Sequence, residues 1–349
     1  MARQGHSVTI ISPQRILSIL AGKDCFSPKS FIHKTATGEQ IKVLRPYLLS
    51  FNKIPILSNA NSILRQWTIK RVIAKAGEQD VYYGHFWDNG YHLYQATKNL
   101  AKPLFIATGE SVIKFRTNNK AFTRYIKGII CVSTKNMKES IHAGLATKEK
   151  CIILPNAIDS TIFRKIDKQQ CRQELGIDKN LFVVIYVGQF NQRKGYDRVA
   201  AAIDRLNDDS IGIVFLGGMK EGRLPQCHGI IKCGLVAQEE IPKYLNAADL
   251  FVLPTRAEGC CNAIVEAMAC GLPIISSDLP FNYDILDSTN ALFVNPENIT
   301  EIADTIQKMK TNPMLRNSMS ICSLEKAQNM NISVRTEHII NFIKERSNA

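Results

Sequence analysis

The stretch from Ala247 to Asp278 reads AADLFVLPTRAEGCCNAIVEAMACGLPIISSD and contains one complete strand–helix–strand unit. Its apolar run Leu250–Leu253 predicts a strand buried on both faces, because short apolar runs followed by turn residues are typical of such strands. A helix is predicted from Asn262 to Cys270, where glycine and proline end it. A second strand follows from Pro273 to Ser276. Two strands joined through a helix are typical of a parallel sheet whose faces are covered by helices.

The same alternation of apolar runs and helical stretches repeats along the chain and predicts two Rossmann-like domains facing each other across a cleft. The length of 349 residues is sufficient for two separate cores. Turn residues at 155–159 predict the linker. We therefore expect an N-terminal domain at 1–157, a C-terminal domain at 158–330, and a terminal segment at 331–349 whose helix spans Val334–Glu345. The predicted strands are Val8–Ser12, Val81–Gly84, Pro103–Ala107 and Gly128–Val132 in a first set, and Cys151–Leu154, Leu181–Gly188, Gly212–Leu216, Ile230–Cys233, Leu250–Leu253, Pro273–Ser276 and Ala291–Val294 in a second.

The composition predicts an ordinary folded protein, with 45% hydrophobic and 21% charged residues. No apolar run reaches the ~18 residues that a transmembrane helix needs, and Met1–Ser7 lacks the apolar core of a signal peptide. The ten cysteines include no CxxC pair, which disfavours both a disulfide framework and a zinc module. We therefore expect a cytoplasmic protein with reduced, mostly buried cysteines.

Positive charge is concentrated in the first half of the chain. Residues 1–180 contain 28 Lys and Arg against 12 Asp and Glu, a net +16, whereas residues 181–349 contain 16 against 19, a net −3. Such a basic region is typical of surfaces that meet nucleic acid, anionic lipid or a phosphorylated acceptor, but it also fits a solvated surface without a dedicated partner. The basic stretch Arg65–Arg71 fits the surface of an anionic membrane, which would place the protein peripherally at its inner face.

Glycine and charged residues follow the predicted strand Leu181–Gly188. Ligands of open α/β sheets bind beyond the carboxyl ends of the strands, where helix N-termini and loop amides point at them. The segment VGQFNQRKG places Gly188 and Gln189 at that position, and Arg193 with Lys194 at the start of the next helix. Two cations there would neutralise a diphosphate, although basic residues in surface loops are commonly only solvated.

Two carboxylates follow the strand Leu250–Leu253, at Glu258 and Glu266. Between them, Gly259 is expected to let the backbone approach a ligand, and the amides of Cys260, Cys261 and Asn262 open a helix whose positive end favours an anion. Glu266 lies deeper in an otherwise apolar helix, so its burial is costly unless a ligand such as a ribose donates to it. Glu258 is placed to accept hydrogen bonds from sugar hydroxyls. The alternative is that both carboxylates are surface groups near a helix cap.

Three further strand ends are candidates for substrate contact. Leu235 and Val236 follow a glycine and are suited to contact a flat base. His85 follows the strand Val81–Gly84, a location that suits a substrate-facing imidazole, although a lone histidine is more often structural. Glu110 ends the next strand in the same way. No paired aspartates follow a strand, as a site for a nucleotide-bound cation would require, so no metal site is predicted.

Together these segments resemble the retaining family 4 glycosyltransferases, which have the two-domain GT-B fold. The Glu-x7-Glu signature of that family corresponds to Glu258 and Glu266. The segments LPNAID at 154–159, VGQFNQRKG at 187–195 and AADLFVLPT at 247–255 match other parts of the family pattern, so that the resemblance extends along most of the chain.

The resemblance implies a role for each matched residue. Lys194 would contact the donor diphosphate, and Glu258 with the amides after it would hold the transferred sugar. Glu266 would bind the ribose, and His85 would lie near the sugar on the side of the N-terminal domain. The terminal helix would cross back to that domain.

The chain departs from the family pattern at three places. Gln189 stands where the family commonly has an arginine, so half of the cationic clamp is missing or is supplied by Arg193. Cys260 and Cys261 replace the usual Phe-Gly, which changes the packing around the sugar. Met1 opens in what resembles the end of the first helix, so the first strand and the glycine-rich loop of the N-terminal domain are expected to be missing.

We therefore expect a metal-independent, retaining glycosyltransferase that moves a sugar from a UDP- or GDP-type donor to a saccharide acceptor, lipid-linked, in polysaccharide biosynthesis. The nucleotide sugar is its substrate, and no cofactor is expected. Three alternatives remain open: a catalytically silent nucleotide-sugar-binding subunit or truncated glycosyltransferase, a sugar-nucleotide epimerase, and a nucleic-acid-binding protein. The sequence contains no basic-aromatic stacking module, so no nucleic-acid partner is expected.

Overall fold

The computed structural model describes residues 1–22, 25–35, 37–48, 58–219 and 223–347. Within these ranges a four-stranded and a six-stranded parallel sheet, each packed against helices, form the centres of two α/β units. The predicted fold class is therefore confirmed.

The first 48 residues add two small sheets to the N-terminal unit. The strand predicted at Val8–Ser12 is present, but the others were missed because they are short or, like the strand Ser30–Lys34, exposed at every residue. The elements are β1 (Thr9–Ile11), parallel to β4 (Gln40–Leu44), which pairs antiparallel with β3 (Ser30–Lys34); β2 (Gln14–Arg15), parallel to β5 (Tyr47–Leu48); and the short helix α1 (Ile16–Leu20).

The four-stranded parallel sheet follows, in the order β6-β7-β8-β9. Its elements are α2 (Ser58–Ala76), β6 (Tyr82–His85), α3 (Trp87–Thr97), β7 (Leu104–Thr108), α4 (Lys120–Tyr125), β8 (Ile126–Cys131), α5 (Thr134–His142) and β9 (Cys151–Ile153). The prediction that Cys151–Leu154 begins the second set of strands is wrong. Ile152 pairs with Ile130 of β8, so β9 completes the first sheet. An apolar run predicts a strand, but the partner of that strand is decided by tertiary packing.

The six-stranded sheet has the order β12-β11-β10-β13-β14-β15. Every residue of β10, β11, β13 and β14 is buried, which explains why these strands are continuous apolar runs in the sequence. Its elements are α6 (Lys168–Leu175), β10 (Phe182–Val187), α7 (Tyr196–Leu206), β11 (Ile211–Leu216), β12 (Ile230–Gly234), α8 (Ile241–Ala247), β13 (Leu250–Leu253), α9 (Asn262–Ala269), β14 (Ile274–Ser277), β15 (Ala291–Val294), α10 (Ile299–Thr311) and α11 (Pro313–Gln328).

The last helix, α12 (Ile332–Ser347), returns to the first sheet. Its Phe342 ring packs edge-on against Phe105 of β7, with ring centroids 6.1 Å apart. Gly128 of β8 makes room for this contact, because a Cβ there would lie 2.5 Å from the Phe342 ring. The end of the chain thus links the two units. None of the helices within the described ranges is both long and apolar enough to cross a membrane.

Candidate functional site

The loops after β10 and β13 flank the place where the strand order of the second sheet reverses. In the sheet, β10 lies between β11 and β13, so the chain leaves β10 towards one side while β13 lies on the other. Such a switch point leaves a crevice outside the carboxyl ends of the strands. The loop after β10 carries Arg193 and Lys194, and the loop after β13 carries Glu258.

These two loops meet at the carboxylate of Glu258, which is 8% exposed. Its Oε1 lies 2.6 Å from Arg193 Nη1 and 2.8 Å from Lys194 Nζ. The buried hydroxyl of Thr255 is the third donor, at 2.9 Å from the same oxygen. Within the part of the chain that the structure describes, no side chain or amide donates to Oε2. One carboxylate oxygen is therefore held by three donors, and the other is available for a ligand.

Lys194 is the more enclosed of the two cations, with its Nζ 3.7 Å from the Sγ of Cys261. Burial by itself lowers the pKa of Lys194, but the neighbouring Cys261 and Glu258 outweigh it and hold this pKa above its ordinary value. Burial also raises the pKa of the Cys261 thiol, and Glu258 is the ion-pair partner of Lys194. Lys194 is therefore a fixed, fully charged ammonium.

Arg198 of α7 links the loop after β10 to the loop after β13 by hydrogen bonds. Its guanidinium is buried and donates to the carbonyl of Gln192 at 2.9 Å and to that of Pro254 at 2.8 Å. Gly195 is required beside it, since its φ is +80° and a Cβ would lie 2.6 Å from both the guanidinium and the Pro254 carbonyl. The backbone amide of Arg256 adds a further link by donating to the Arg193 carbonyl.

The N-terminus of α9 lies next to this cluster. Its cap residue is Cys261, which is 3% exposed and whose side chain makes no capping hydrogen bond. The amides of the first turn carry the partial positive charge of the helix, and those of Ala263 and Ile264 point towards the Cys261 sulfur. Together with Lys194, this helix end offers an anion both a full charge and hydrogen-bond donors.

Glu266 lies further along α9 and is half-buried. Burial raises the pKa of its carboxyl, and no hydrogen bond or ion pair from the described residues compensates. A desolvated carboxylate without a donor is unfavourable in a folded protein unless a ligand supplies the donor. The predicted role of Glu266 as a ligand-binding group fits this environment.

Glu266→Gln is expected to stabilise the ligand-free protein in a pH-dependent way. The folded protein binds the Glu266 proton more tightly than the unfolded chain, so the free energy of unfolding falls as pH rises above the ordinary value of 4.5. Glutamine does not ionise, so the free energy of unfolding of the variant lacks this decrease. Its melting temperature should therefore equal that of the wild type near about pH 4 and exceed it increasingly towards about pH 7. A difference that is constant with pH, or equal to that of the exposed control Glu325→Gln, would contradict the assignment.

Gly259 was predicted to let the backbone approach a ligand, but the structure places protein there instead. A Cβ on Gly259 would lie 2.4 Å from the carbonyl oxygen of Gly109 and 3.0 Å from Oδ1 of Asn136, both in the N-terminal unit. Asn136 is fully buried, and among the described residues this Oδ1 has no hydrogen-bond partner. The missing side chain at 259 therefore serves the contact between the two units.

Two more contacts join the units around this point. Asp284 accepts hydrogen bonds from the amide and the hydroxyl of Thr134, at 2.8 and 2.5 Å. Asn156 of the linker donates to the carbonyl of Cys260 at 3.0 Å and to the side chain of Asn262 at 2.7 Å. Cys260 and Asn262 thus contact the linker in this arrangement, in addition to flanking the start of α9.

His85 lies at the end of β6, with its ring 5.2 Å from that of Tyr83. Loss of surrounding water lowers the pKa of His85, and the positive charge of Arg335 lowers it further, so the imidazole is neutral at pH 7. The next residue, Phe86, has a φ of +68°, a strained value for a residue with a side chain. Strain of this kind is common where a strand end is shaped for a ligand.

Glu110 makes structural hydrogen bonds at the end of β7. Its carboxylate accepts from the amide of Trp87 at 2.8 Å, from the hydroxyl of Thr108 at 2.5 Å and from the amide of Gly109 at 2.9 Å. Both oxygens are used to fix the start of α3 and the turn after β7.

The remaining predicted residues line the neighbouring strand ends. The carbonyl of Gly188 would lie 1.9 Å from a Cβ on Gly217, so these two loops are in close contact. Gln189 is exposed, and its side chain accepts from Asn191 at 3.2 Å. Leu235 is 77% exposed, while Val236 is half-buried against the core. An exposed leucine at a strand end remains a candidate contact for a base.

A separate cavity of about 370 Å³ opens at the junction of the two units. It is lined by linker residues 154–157, by residues 283–287, and by residues of α11 and α12. None of the predicted donor-site residues lines it, so the cluster around Glu258 is a distinct place in the fold. Within the described ranges, no three His, Cys, Asp or Glu side chains converge as a metal site would require.

Sequence reasoning missed Thr255, Arg198 and Asn136. Thr255 stands at the carboxyl end of β13, where a hydroxyl three residues before a carboxylate is a usable signal. Arg198 and Asn136 lie in helices and have no local signal, because their partners are far away along the chain.

Comparison with known proteins finds a family match within the second unit. Residues 167–323 match the family model of glycosyl transferases group 1. Among curated relatives, an alpha-galactosylglucosyldiacylglycerol synthase of Streptococcus pneumoniae is 26% identical over 235 residues. The matched region covers 63% of this chain and 60% of that protein, so the chain spans less than two thirds of the length of this relative.

Solved structures resemble the whole chain. A sucrose-phosphate synthase of Thermosynechococcus elongatus superposes with a TM-score of 0.80, covering 99% of this chain and 90% of the other at 17% identity. HepE of Anabaena, solved in complex with UDP-glucose, gives a TM-score of 0.68 over 86% of each chain at 18% identity. The chain therefore has the GT-B fold, and its residues 167–323 match the glycosyl transferases group 1 model.

Proposed function

We propose that the protein is a glycosyltransferase that moves a sugar, with retention of anomeric configuration, from a nucleoside-diphosphate sugar to a lipid-linked saccharide in polysaccharide biosynthesis. The observation that carries this proposal is the convergence of Arg193 and Lys194 on one buried carboxylate, Glu258, with the N-terminus of α9 beside Lys194. This arrangement supplies positive charge for a diphosphate and a hydrogen-bond acceptor for a sugar within a single loop cluster.

In this proposal the donor lies along the loops of the second unit. Its diphosphate is neutralised by Lys194 and the first amides of α9, which stabilise the charge that develops as the sugar leaves. Oε2 of Glu258 accepts from a hydroxyl of the sugar. The ribose hydroxyls donate to Glu266, whose carboxylate lacks any other donor among the described residues. Leu235 and Val236 contact the base.

The N-terminal unit supplies the acceptor side of the reaction. His85 is neutral at pH 7 and stands at the end of β6, where a neutral imidazole can accept or donate a hydrogen bond to a substrate hydroxyl. Retention needs the acceptor hydroxyl on the same face as the leaving diphosphate, and a cleft between two units can hold both in that orientation. No nucleophilic side chain is required by this route.

An exposed face of α2 supports peripheral association with an anionic membrane, where a lipid-linked acceptor would be found. Ile63, Leu64 and Trp67 are 65%, 37% and 60% exposed, and Lys70 and Arg71 follow on exposed positions. The Arg71 guanidinium lies 5.4 Å from the Trp67 ring. Apolar and basic residues on one exposed helix face are typical of helices that lie in a membrane interface.

Part of the predicted basic stretch has another role. Arg65 forms an ion pair with Asp88 at 2.8 Å, and Ile69 packs against the core of the first unit. These two residues fix α2 to the protein, which leaves Trp67, Lys70 and Arg71 to face outwards.

The double variant Lys70→Ala with Arg71→Ala is expected to bind phosphatidylglycerol vesicles roughly thirtyfold more weakly than the wild type, because each cation near an anionic surface contributes about 1 kcal/mol. Vesicle co-sedimentation at about 0.1 M salt measures this, since higher salt would screen the effect. The double variant Lys232→Ala with Lys308→Ala removes the same charge from exposed positions of the other unit and should bind as the wild type does. Equal weakening by both pairs would show that only net charge matters.

A donor screen tests the proposed function most simply. Wild-type protein is melted with UDP- and GDP-sugars, since a ligand at 100 times its dissociation constant adds about 2.7 kcal/mol to the free energy of unfolding. At least one nucleotide sugar should raise the melting temperature of the wild type and fail to raise that of Lys194→Ala. If none does so, the proposal is wrong. Conversion of the bound donor without an acceptor would instead indicate an epimerase.

A further inference from the structure

The hydroxyl of Thr255 lies 2.9 Å from Oε1 of Glu258. Thr255 is completely buried. Its carbonyl accepts from the hydroxyl of Ser277 at 2.6 Å, and its amide donates to the carbonyl of Leu253 at 3.0 Å. The backbone is therefore held on both sides, and a β-branched side chain on a fixed backbone has few rotamers. The position of the Thr255 hydroxyl is therefore fixed by its own backbone and by burial.

This hydroxyl can donate to only one acceptor at a time. Its two acceptors are Oε1 of Glu258, at 2.9 Å, and the carbonyl of Arg193, at 3.2 Å. The Arg193 carbonyl also receives the amide of Arg256 at 2.8 Å, so it is satisfied without the hydroxyl. Donation to Glu258 is the shorter bond, and it joins a neutral donor to a charged acceptor, which is the stronger kind of hydrogen bond.

The other two donors to Oε1 differ from Thr255 in what a bound ligand would do to them. Arg193 and Lys194 are cations on the facing loop, and a diphosphate would compete with Glu258 for both. Thr255 belongs to the same loop as Glu258 and carries no charge. It remains a hydrogen-bond donor to Oε1 when Arg193 and Lys194 bind a diphosphate instead of Glu258.

We propose that Thr255 is a positioning residue, which holds Oε1 of Glu258 so that Oε2 is presented to a hydroxyl of the transferred sugar. Without the Thr255 hydroxyl, the carboxylate would follow the two cations towards the diphosphate and lose its place beside the sugar. This role rests on the proposed function, because it acts only through Glu258 and a bound nucleotide sugar.

Thr255→Val is the direct test, since valine replaces the hydroxyl by a methyl group of similar size. We expect it to lower the kcat of transfer about tenfold, the effect of losing one hydrogen bond to a charged group. Thr255→Ser keeps the hydroxyl and should retain kcat within about twofold, because the hydrogen bond persists. Thr97→Val is the matched control. Thr97 is equally buried and its hydroxyl donates to the Leu93 carbonyl in α3, so the control reports the general cost of deleting a buried hydroxyl.

A double-mutant cycle with Glu258→Ala separates positioning from a purely structural role. If Thr255 acts through Glu258, then Thr255→Val should cause no further loss of kcat or of donor affinity in the Glu258→Ala background. A loss of the same size in both backgrounds, or a serine variant as impaired as the valine variant, overturns the inference. Should Thr255→Val not fold, Thr255→Ala provides the same comparison.

The outcomes distinguish this inference from the function beneath it. If the wild type binds nucleotide sugar and Glu258→Ala impairs transfer while Thr255→Val does not, the positioning role is wrong and the proposed function stands. If Glu258→Ala transfers sugar as the wild type does, or if calorimetry finds no nucleotide-sugar binding to the wild type, both are wrong.

Discussion

Replacing either Lys194 or Glu258 by alanine is expected to slow sugar transfer by about two orders of magnitude or more, which corresponds to about 2.7 kcal/mol or more of lost transition-state stabilisation. Lys194 is an enclosed ammonium whose pKa is held above its ordinary value, so it is fully charged at any working pH. Removing it leaves the departing diphosphate with Arg193 and the α9 amides alone. Removing Glu258 deprives a hydroxyl of the transferred sugar of its hydrogen-bond acceptor. It also leaves Arg193 and Lys194 without their ion-pair partner.

Initial rates at saturating donor measure both losses. Lys308→Ala is the matched control for Lys194, because it removes a lysine from an exposed position of α10 in the same unit. It should transfer sugar at the wild-type rate. Unchanged turnover in Lys194→Ala or in Glu258→Ala would count directly against the proposed roles, whatever the other variants do.

Gly259→Ala is expected to reduce transfer by roughly a hundredfold while leaving donor affinity within about threefold of the wild type, because it displaces the facing unit rather than the donor loops. A Cβ there would lie 2.4 Å from the Gly109 carbonyl, which is backbone and cannot turn away as a side chain can. The two units must then separate slightly near Glu258. A displacement of this order misplaces the acceptor hydroxyl relative to the sugar.

Donor affinity by calorimetry and transfer by initial rates must be measured together on this variant. Gly212→Ala is the control, since a Cβ at 212 would lie 2.4 Å from the movable end of the Ile231 side chain, away from the other unit. Equal losses of donor affinity and transfer in Gly259→Ala would show that Gly259 faces the donor, as the sequence alone suggested.

The sequence was sufficient for the elements that bear continuous apolar runs. The strands of the second sheet and the helix after Cys261 lie within one or two residues of their predicted bounds, because burial on both faces leaves a strong local signal. It was also sufficient to place Arg193, Lys194 and Glu258 at strand ends. Their meeting follows from the parallel topology, which brings the carboxyl ends of neighbouring strands to one edge.

The rest depends on contacts between distant parts of the chain. No local pattern shows that β9 joins the first sheet, that Gly259 faces Gly109, or that Arg198 binds a carbonyl in another loop. The hydrogen bond from the Trp87 amide to Glu110 is likewise a contact between distant parts of the chain, whereas the other two donors to Glu110 lie in its own turn. The position of a residue at a strand end indicates where a ligand can bind. It does not tell whether the side chain contacts the ligand or binds neighbouring backbone amides, as Glu110 does.

The structure of the protein with a bound nucleoside diphosphate, UDP or GDP according to the donor screen, tests the central claim most directly. We predict that the diphosphate lies within hydrogen-bond distance of Lys194 and of the first amides of α9, with a ribose hydroxyl donating to Glu266. A nucleotide bound elsewhere, for example in the cavity between the linker and α12, or a Glu266 carboxylate that does not contact the ribose, would contradict the account.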